Sequence, residues 1–243
     1  MENIKLSLAH LYPKLLNLYG DWGNILALKK RCEWRNIELE VTEVDIGDSV
    51  KPHDIYFIGG GQDKQQQAVS EDILKHREFF IKERDNDKVF LGICGGYQLL
   101  GKYYEDQNGN TIEGLGLIDF YTKGEGKRLI GNVVSTANFE GLEQTLAGFE
   151  NHSGVTHLGE GVRPLAKIKR GFGNDGKGRH EGVWDKNVFG TYLHGSFLPK
   201  NPKFADYILK LALRNKYGES FELKELNDSL ELKTHNFLVE NKR

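Results

Sequence analysis

The stretch VFLGICGGYQ, residues 89–98, constrains this chain more than any other. A continuous apolar run reads as a buried strand. It ends on Cys94, passes through Gly95 and Gly96, and resumes as a short helix in YQLLG. Strand, sharp turn and helix form the context of a nucleophile elbow, with cysteine in place of serine. The glycines suit a strained turn whose backbone a substrate must approach closely. The helix N-terminus offers N–H groups that are expected to lower the thiol pKa and to hold an oxyanion. A lone buried cysteine is more often structural, so the weight rests on its place at a strand end before two glycines. Cys32 lacks that context. It sits mid-helix among Lys29, Lys30, Arg31 and Glu33 and reads as structural.

The rest of the chain supplies the fold. Residues 4–9, 37–41, 54–58 and 88–93 read as strands. Helical spacing joins Ile25, Leu26, Leu28 and Cys32 behind a capping Asp21, and Val69, Ile73 and Phe80 within residues 65–84. Apolar strands alternating with helices predict a mostly parallel central sheet flanked by helices, an α/β fold of flavodoxin-like type. Between Gly114 and His194 the pattern turns glycine-rich, with strand pieces at 117–121, 129–134 and 188–193 and no long helix. Two helices follow, at 204–216 and about 223–239, and the last residues, ENKR, are expected to fray.

Two further motifs end strands. GTYLHG, residues 190–195, places His194 where it can face the same crevice as Cys94, as its general base. IGGGQ, residues 58–62, presents main-chain N–H groups to a ligand, although a tight strand–helix turn needs the same glycines. His152 and His157 stand in a glycine-rich stretch without a third partner of convincing spacing, so no metal is assigned. GFGNDGKG, residues 171–178, nearly fits a phosphate loop, but Gly178 stands where Ser or Thr would bind Mg²⁺. It reads as a polar surface loop, which leaves the chain without an ATP site of its own.

Composition narrows the setting. Lys and Arg number 33 against 35 Asp and Glu, a net charge of −2, so nucleic acid is a poor partner. Two cysteines without CxxC spacing point to a reducing compartment. The start, MENIKLSLAH, carries no secretory pattern, and no apolar run approaches the roughly 20 residues of a membrane span. A cytoplasmic protein without membrane insertion is expected.

GICGGYQ resembles the nucleophile motif of class I glutamine amidotransferases, IGGGQD their oxyanion strand and GTYLHG their histidine motif. Within them the chain resembles the cobyric-acid-synthase-like branch, and most of all the GatD family, the glutaminase subunits of lipid II isoglutaminyl synthase. LNLYGDWGNILALKKRCEWRNI, IEGLGLIDFYT, KRLIGN, GFENHSG and GTYLHGSFLPKNP carry that narrower likeness. The resemblance implies an amidotransferase domain over residues 1–205 and a C-terminal helical extension, 206–243, packed on it. It implies L-glutamine as substrate, Cys94 as nucleophile, His194 as base, and Gly60 and Gly95 as oxyanion donors. Arg128 matches the family's substrate-binding arginine, and Gln98 and Asn151 are further pocket candidates. A Mur-ligase-like partner subunit in a heterodimer is implied, carrying ATP and Mg²⁺ and amidating the D-glutamate α-carboxyl of lipid II. Many class I members carry Glu two residues after the histidine; here Ser196 stands there, so a third group from the partner is expected. The alternatives on the same motifs are a stand-alone γ-glutamyl hydrolase and a glutaminase serving another product such as cobyric acid.

Overall fold

A computed structural model describes residues 4–240. Strands β1 (Lys5–Leu11), β2 (Glu38–Val44), β3 (Ile55–Ile58) and β4 (Val89–Ile93) alternate with helices α1 (Trp22–Glu33), α2 (Asp63–Ile73) and α3 (Arg77–Asp85). After β4 come α4 (Gly95–Leu100), β5 (Tyr103–Glu105), β6 (Thr111–Glu113) and two long strands, β7 (Phe120–Phe139) and β8 (Leu142–Leu158). The chain closes with β9 (Ala166–Arg170), β10 (His180–Glu181), β11 (Val183–Asp185), β12 (Val188–Thr191), α5 (Phe197–Lys200), α6 (Pro202–Tyr217) and α7 (Ser229–Glu240).

The central sheet has the order β11-β12-β4-β3-β1-β2 and is parallel except for β11. This is the expected α/β architecture. The fully buried runs IYFI and VFLGI form β3 and β4, as strands covered on both faces must. On one face Ile25, Leu28 and Cys32 of α1 join Phe204, Ile208 and Leu209 of α6; on the other Val69, Ile73 and Phe80 pack on Tyr56 and Phe90. Cys32 is fully buried in the first of these layers.

A second sheet, β10-β9-β7-β5-β6 with β8 on β7, collects the glycine-rich stretch. The strand piece read at 129–134 lies inside the far longer β7. The helix read over 65–84 is two helices, parted by a 3₁₀ turn at Leu74–His76. Helix α6 runs through the 205/206 position where the extension was expected to begin, and the final helix starts at Ser229 rather than near 223. Of ENKR, only Glu240 lies within the described residues.

Candidate active site

Strand register brings three strand ends to one level. Ile58 pairs with Gly92, which pairs with Gly190, while Ile93 pairs with Thr191. The Cys94 N–H donates to Thr191 O at 2.8 Å, and the Gly96 N–H donates to Gly59 O at 3.0 Å. Cys94, the glycine run and the segment leading to His194 therefore leave the sheet side by side at its carboxyl edge, where open α/β sheets bind ligands.

The turn is strained as the motif demands. Cys94 has φ +50 and ψ −104, outside the usual regions for an L-residue. Gly96 has no alternative, because a Cβ there would lie 2.2 Å from Ile58 O. Cys94 is half-buried and free. Burial pushes its thiol up to about 12; the Asp21 carboxylate adds to this, while the Gly95 N–H and Arg128 oppose it. The helix N-terminus does not win here, contrary to the sequence expectation, since desolvation outweighs a single N–H.

His194 is fully buried. Its N–H donates to Phe149 O at 2.8 Å, stitching the end of β12 to β8. Burial lowers its ring to about 4, and the neighbouring His152, Lys200 and Arg128 act in the same direction. The imidazole is therefore neutral at physiological pH, as a proton acceptor must be.

A cavity of about 370 Å³ opens at Cys94, walled by Gly61, Asp63, Gln66, Gln98, Tyr104, Arg128, Asn151 and His152 among others. A bulge in β7 between Gly124 and Leu129 carries Arg128, whose Nε donates to Asn151 Oδ1 at 2.6 Å. Asn151 thus aims the guanidinium. Gln98 is committed inside the fold: its Oε1 accepts from Gln66 Nε2 at 2.9 Å, and its Nε2 donates to Tyr192 Oη at 3.4 Å. A Cβ on Gly60 would lie 3.4 Å from Cys94 Cβ and 3.4 Å from Asp21 Oδ2. His194 is not part of the cavity wall.

Asp21 does not cap α1 with its side chain. Its Oδ2 accepts the Gly60 N–H at 2.6 Å, and burial raises its carboxyl to about 7. Ser196 does not reach back toward the histidine either. It sits at φ +51 and its Oγ donates to Gly20 O at 2.6 Å. The near phosphate loop does cradle an anion, but an internal one: the Phe172 and Gly173 N–H groups donate to the buried Glu150 carboxylate at 2.7 and 2.8 Å.

Sequence reading missed Asp63, Gln66, Tyr104 and His152 as cavity residues. Asp63 stood in plain view after the glycine run; Tyr104 had no local cue. His152 and His157 part company. The first stacks on Tyr192 with centroids 3.6 Å apart, and the second stacks on Tyr121.

The CobB/CobQ-like glutamine amidotransferase domain matches residues 7–202. The chain is 39% identical over 238 residues to the lipid II isoglutaminyl synthase (glutamine-hydrolyzing) subunit GatD of Staphylococcus aureus strain N315, covering 97% of this chain and 96% of that one. It is 41% identical over 229 residues to the subunit of the same name from Streptococcus pneumoniae, covering 93% and 87%. A probable cobyric acid synthase of Methanothermobacter thermautotrophicus is 34% identical over 79% of this chain, which spans only 40% of that relative. Among solved structures, a glutamine amidotransferase superposes with a TM-score of 0.58 at 19% identity, covering 84% of this chain and 98% of the other. PurLQS from Thermotoga maritima gives 0.53 at 15%, covering 87% and 98%.

Proposed function

Since the chain belongs to the CobB/CobQ-like glutamine amidotransferase family, we propose that it hydrolyses L-glutamine through Cys94 and His194 and delivers the ammonia to a Mur-ligase-like partner subunit. The observation that carries this reading is Cys94 itself. It is a strained cysteine on a cavity wall, one strand from a neutral buried histidine.

The perturbed groups fit one sequence of steps. At neutral pH both the thiol and the imidazole are uncharged, so attack on the side-chain amide carbon is coupled to proton transfer from Sγ to His194. The tetrahedral oxyanion lies toward the Gly95 N–H, and toward the Gly60 N–H once the Asp21 carboxyl that accepts it at 2.6 Å gives way. His194 returns the proton to the leaving ammonia, leaving a glutamyl thioester, and then activates the water that hydrolyses it. Arg128, aimed by Asn151, takes the substrate α-carboxylate.

Ser196 is spent on Gly20. With Ser196 standing where many class I members carry Glu, we take the acid that steadies the imidazolium to come from the partner, so that hydrolysis by the isolated chain is slow. The partner binds ATP and Mg²⁺, activates the D-glutamate α-carboxyl of lipid II, and the ammonia converts it to D-isoglutamine, a cytoplasmic step of peptidoglycan synthesis. Among the described residues no helix is long and apolar enough to cross a membrane.

The test is glutamate release from L-glutamine by the chain alone and co-expressed with a Mur-ligase-like subunit, with Cys94→Ala as control. Release that needs Cys94 and rises with the partner is expected. Full activity of the isolated chain removes the partner-supplied acid. No release in either sample, with Cys94 inert to electrophiles, removes the glutaminase reading.

A further inference from the structure

Glutamine reaches the cavity as a zwitterion, with a carboxylate and an ammonium group on one carbon. Arg128 answers the first charge. The second has a counterpart on the same wall: Asp63 and Arg128 both line the cavity that opens at Cys94, and Asp63 is the one carboxylate among the described lining residues. Asp63 follows the glycine run after Gln62 and opens α2, so it is held at a fixed point beside the nucleophile turn.

Its charge is not spent elsewhere. Among the described residues Asp63 has no cationic partner within 4 Å, although Arg128 shares its cavity and Lys64 follows it in sequence. Partial burial and the nearby Asp106 push its carboxyl up, while Arg128 and the Tyr104 hydroxyl draw it down. An anion that is partly desolvated and beside a like charge gains from a cation placed against it. An aspartate in the first turn also favours the helix dipole. That role is compatible with ligand contact but gives no reason for the carboxylate to line the cavity.

We propose that Asp63 accepts the α-ammonium group of the substrate, opposite Arg128 on the α-carboxylate, and so selects α-amino acid amides over amides that lack the amino group. The proposal rests on the glutaminase reading and adds the residue that fixes the substrate's second charge. Two points of opposite sign on either side of the α-carbon also orient the side-chain amide toward Cys94.

The experiment compares L-glutamine with 4-carbamoylbutanoate, its des-amino analogue, in wild-type chain, Asp63→Asn and Asp63→Glu, each with its co-expressed partner. For Asp63→Asn the KM for L-glutamine rises about 10- to 100-fold with kcat changed little, the size expected when one hydrogen bond to a charged group is lost. The KM for 4-carbamoylbutanoate is already high in the wild type and changes less than about twofold. Asp63→Glu recovers part of the discrimination. An equal rise for both amides assigns Asp63 to structure and overturns the proposal, as does an unchanged KM for glutamine. Calorimetric binding of L-glutamine to Cys94→Ala, with and without Asp63→Asn, separates the two readings. If the wild type hydrolyses neither amide, the glutaminase reading falls, and Asp63 is still decided by whether its substitution weakens glutamine binding.

Discussion

The Asp21 carboxylate accepts the Gly60 N–H at 2.6 Å, so a peptide group proposed to receive an oxyanion already has an anionic oxygen on it. The same carboxylate raises the Cys94 thiol. Asp21 thus opposes the chemistry twice, through the donor it occupies and through its charge. Its own carboxyl is raised to about 7 by burial, so it is neutral below that pH and repels a thiolate above it. Asp21→Asn keeps an oxygen for Gly60 and removes the charge. Alkylation of Cys94 by iodoacetamide is expected to run roughly tenfold faster in this variant at pH 8.5, and at the wild-type rate at pH 6. Equal acceleration at both pH values would show that packing, not charge, is responsible.

The strain at Cys94 has a thermodynamic signature of its own. A non-glycine residue at φ +50 and ψ −104 costs about 1–3 kcal/mol. Glycine relieves that strain and gives back part of it as chain entropy, about 0.5–1 kcal/mol. Cys94→Gly is therefore expected to be inactive and more stable by about 1 kcal/mol, a Tm rise of roughly 2–4 °C. Scanning calorimetry of Cys94→Gly beside Cys94→Ala checks it, since alanine removes the thiol but keeps the strain. A glycine variant no more stable than the alanine one means that the turn is not strained.

Much of this was legible from strand ends. Continuous apolar runs that end at or one residue before a glycine pair, as at Ile58 and Ile93, announce both a buried parallel strand and a tight turn after it. What was not legible depends on direction rather than type. Asp before a helix looks like a cap whichever way its carboxylate turns, and only tertiary packing turns Asp21 onto Gly60. The break at residues 74–76 carries neither Gly nor Pro to mark it. The full length of β7 and β8 was masked by glycines that read as loop, although Gly148 needs its bareness in a strand because a Cβ there would lie 2.7 Å from Leu193 Cβ. His152 drew notice only for its spacing from His157. Its place on the cavity wall follows from the 16 residue pairs of β7 with β8, which no local pattern reports.

Glu181 sets a pH dependence on stability. Its Oε1 accepts the Thr191 hydroxyl and the Tyr192 N–H, each at 2.7 Å, beneath the segment that leads to His194. Burial first, with the nearby Glu150 charge assisting, raises its carboxyl from 4.5 to about 7. A raised carboxyl binds its proton more tightly in the folded state. Its contribution is complete below pH 4.5 and is lost as pH rises through about 7. Glu181→Gln cannot lose a proton, so the wild type is expected to fall relative to the variant between pH 5 and pH 8, by up to about 3 kcal/mol. Urea unfolding of both proteins at the two pH values measures this, and a constant difference would mean that Glu181 does not titrate in that range.

The loop after His194 is seated on the start of α1 partly by the close approach of Ser196 to Gly23. A Cβ on Gly23 would lie 2.2 Å from Ser196 Oγ and 2.9 Å from Ser196 Cβ. Nearby, the Leu198 N–H donates to Asn24 Oδ1 at 2.8 Å, so the two segments cannot part without breaking a buried hydrogen bond. Gly23→Ala therefore pushes on the backbone that carries His194, at a cost of about 1–3 kcal/mol and with loss of glutaminase rate. Ser196→Gly alone suits the residue's φ of +51 but gives up the hydrogen bond to Gly20 O. Together the two changes remove the clash. The double variant is expected to be more stable than Gly23→Ala alone and to recover most of the lost rate, a non-additivity of at least about 1 kcal/mol in a double-mutant cycle. Strictly additive effects would mean that Gly23 and Ser196 act on the site independently, and that the seat of the His194 loop lies elsewhere.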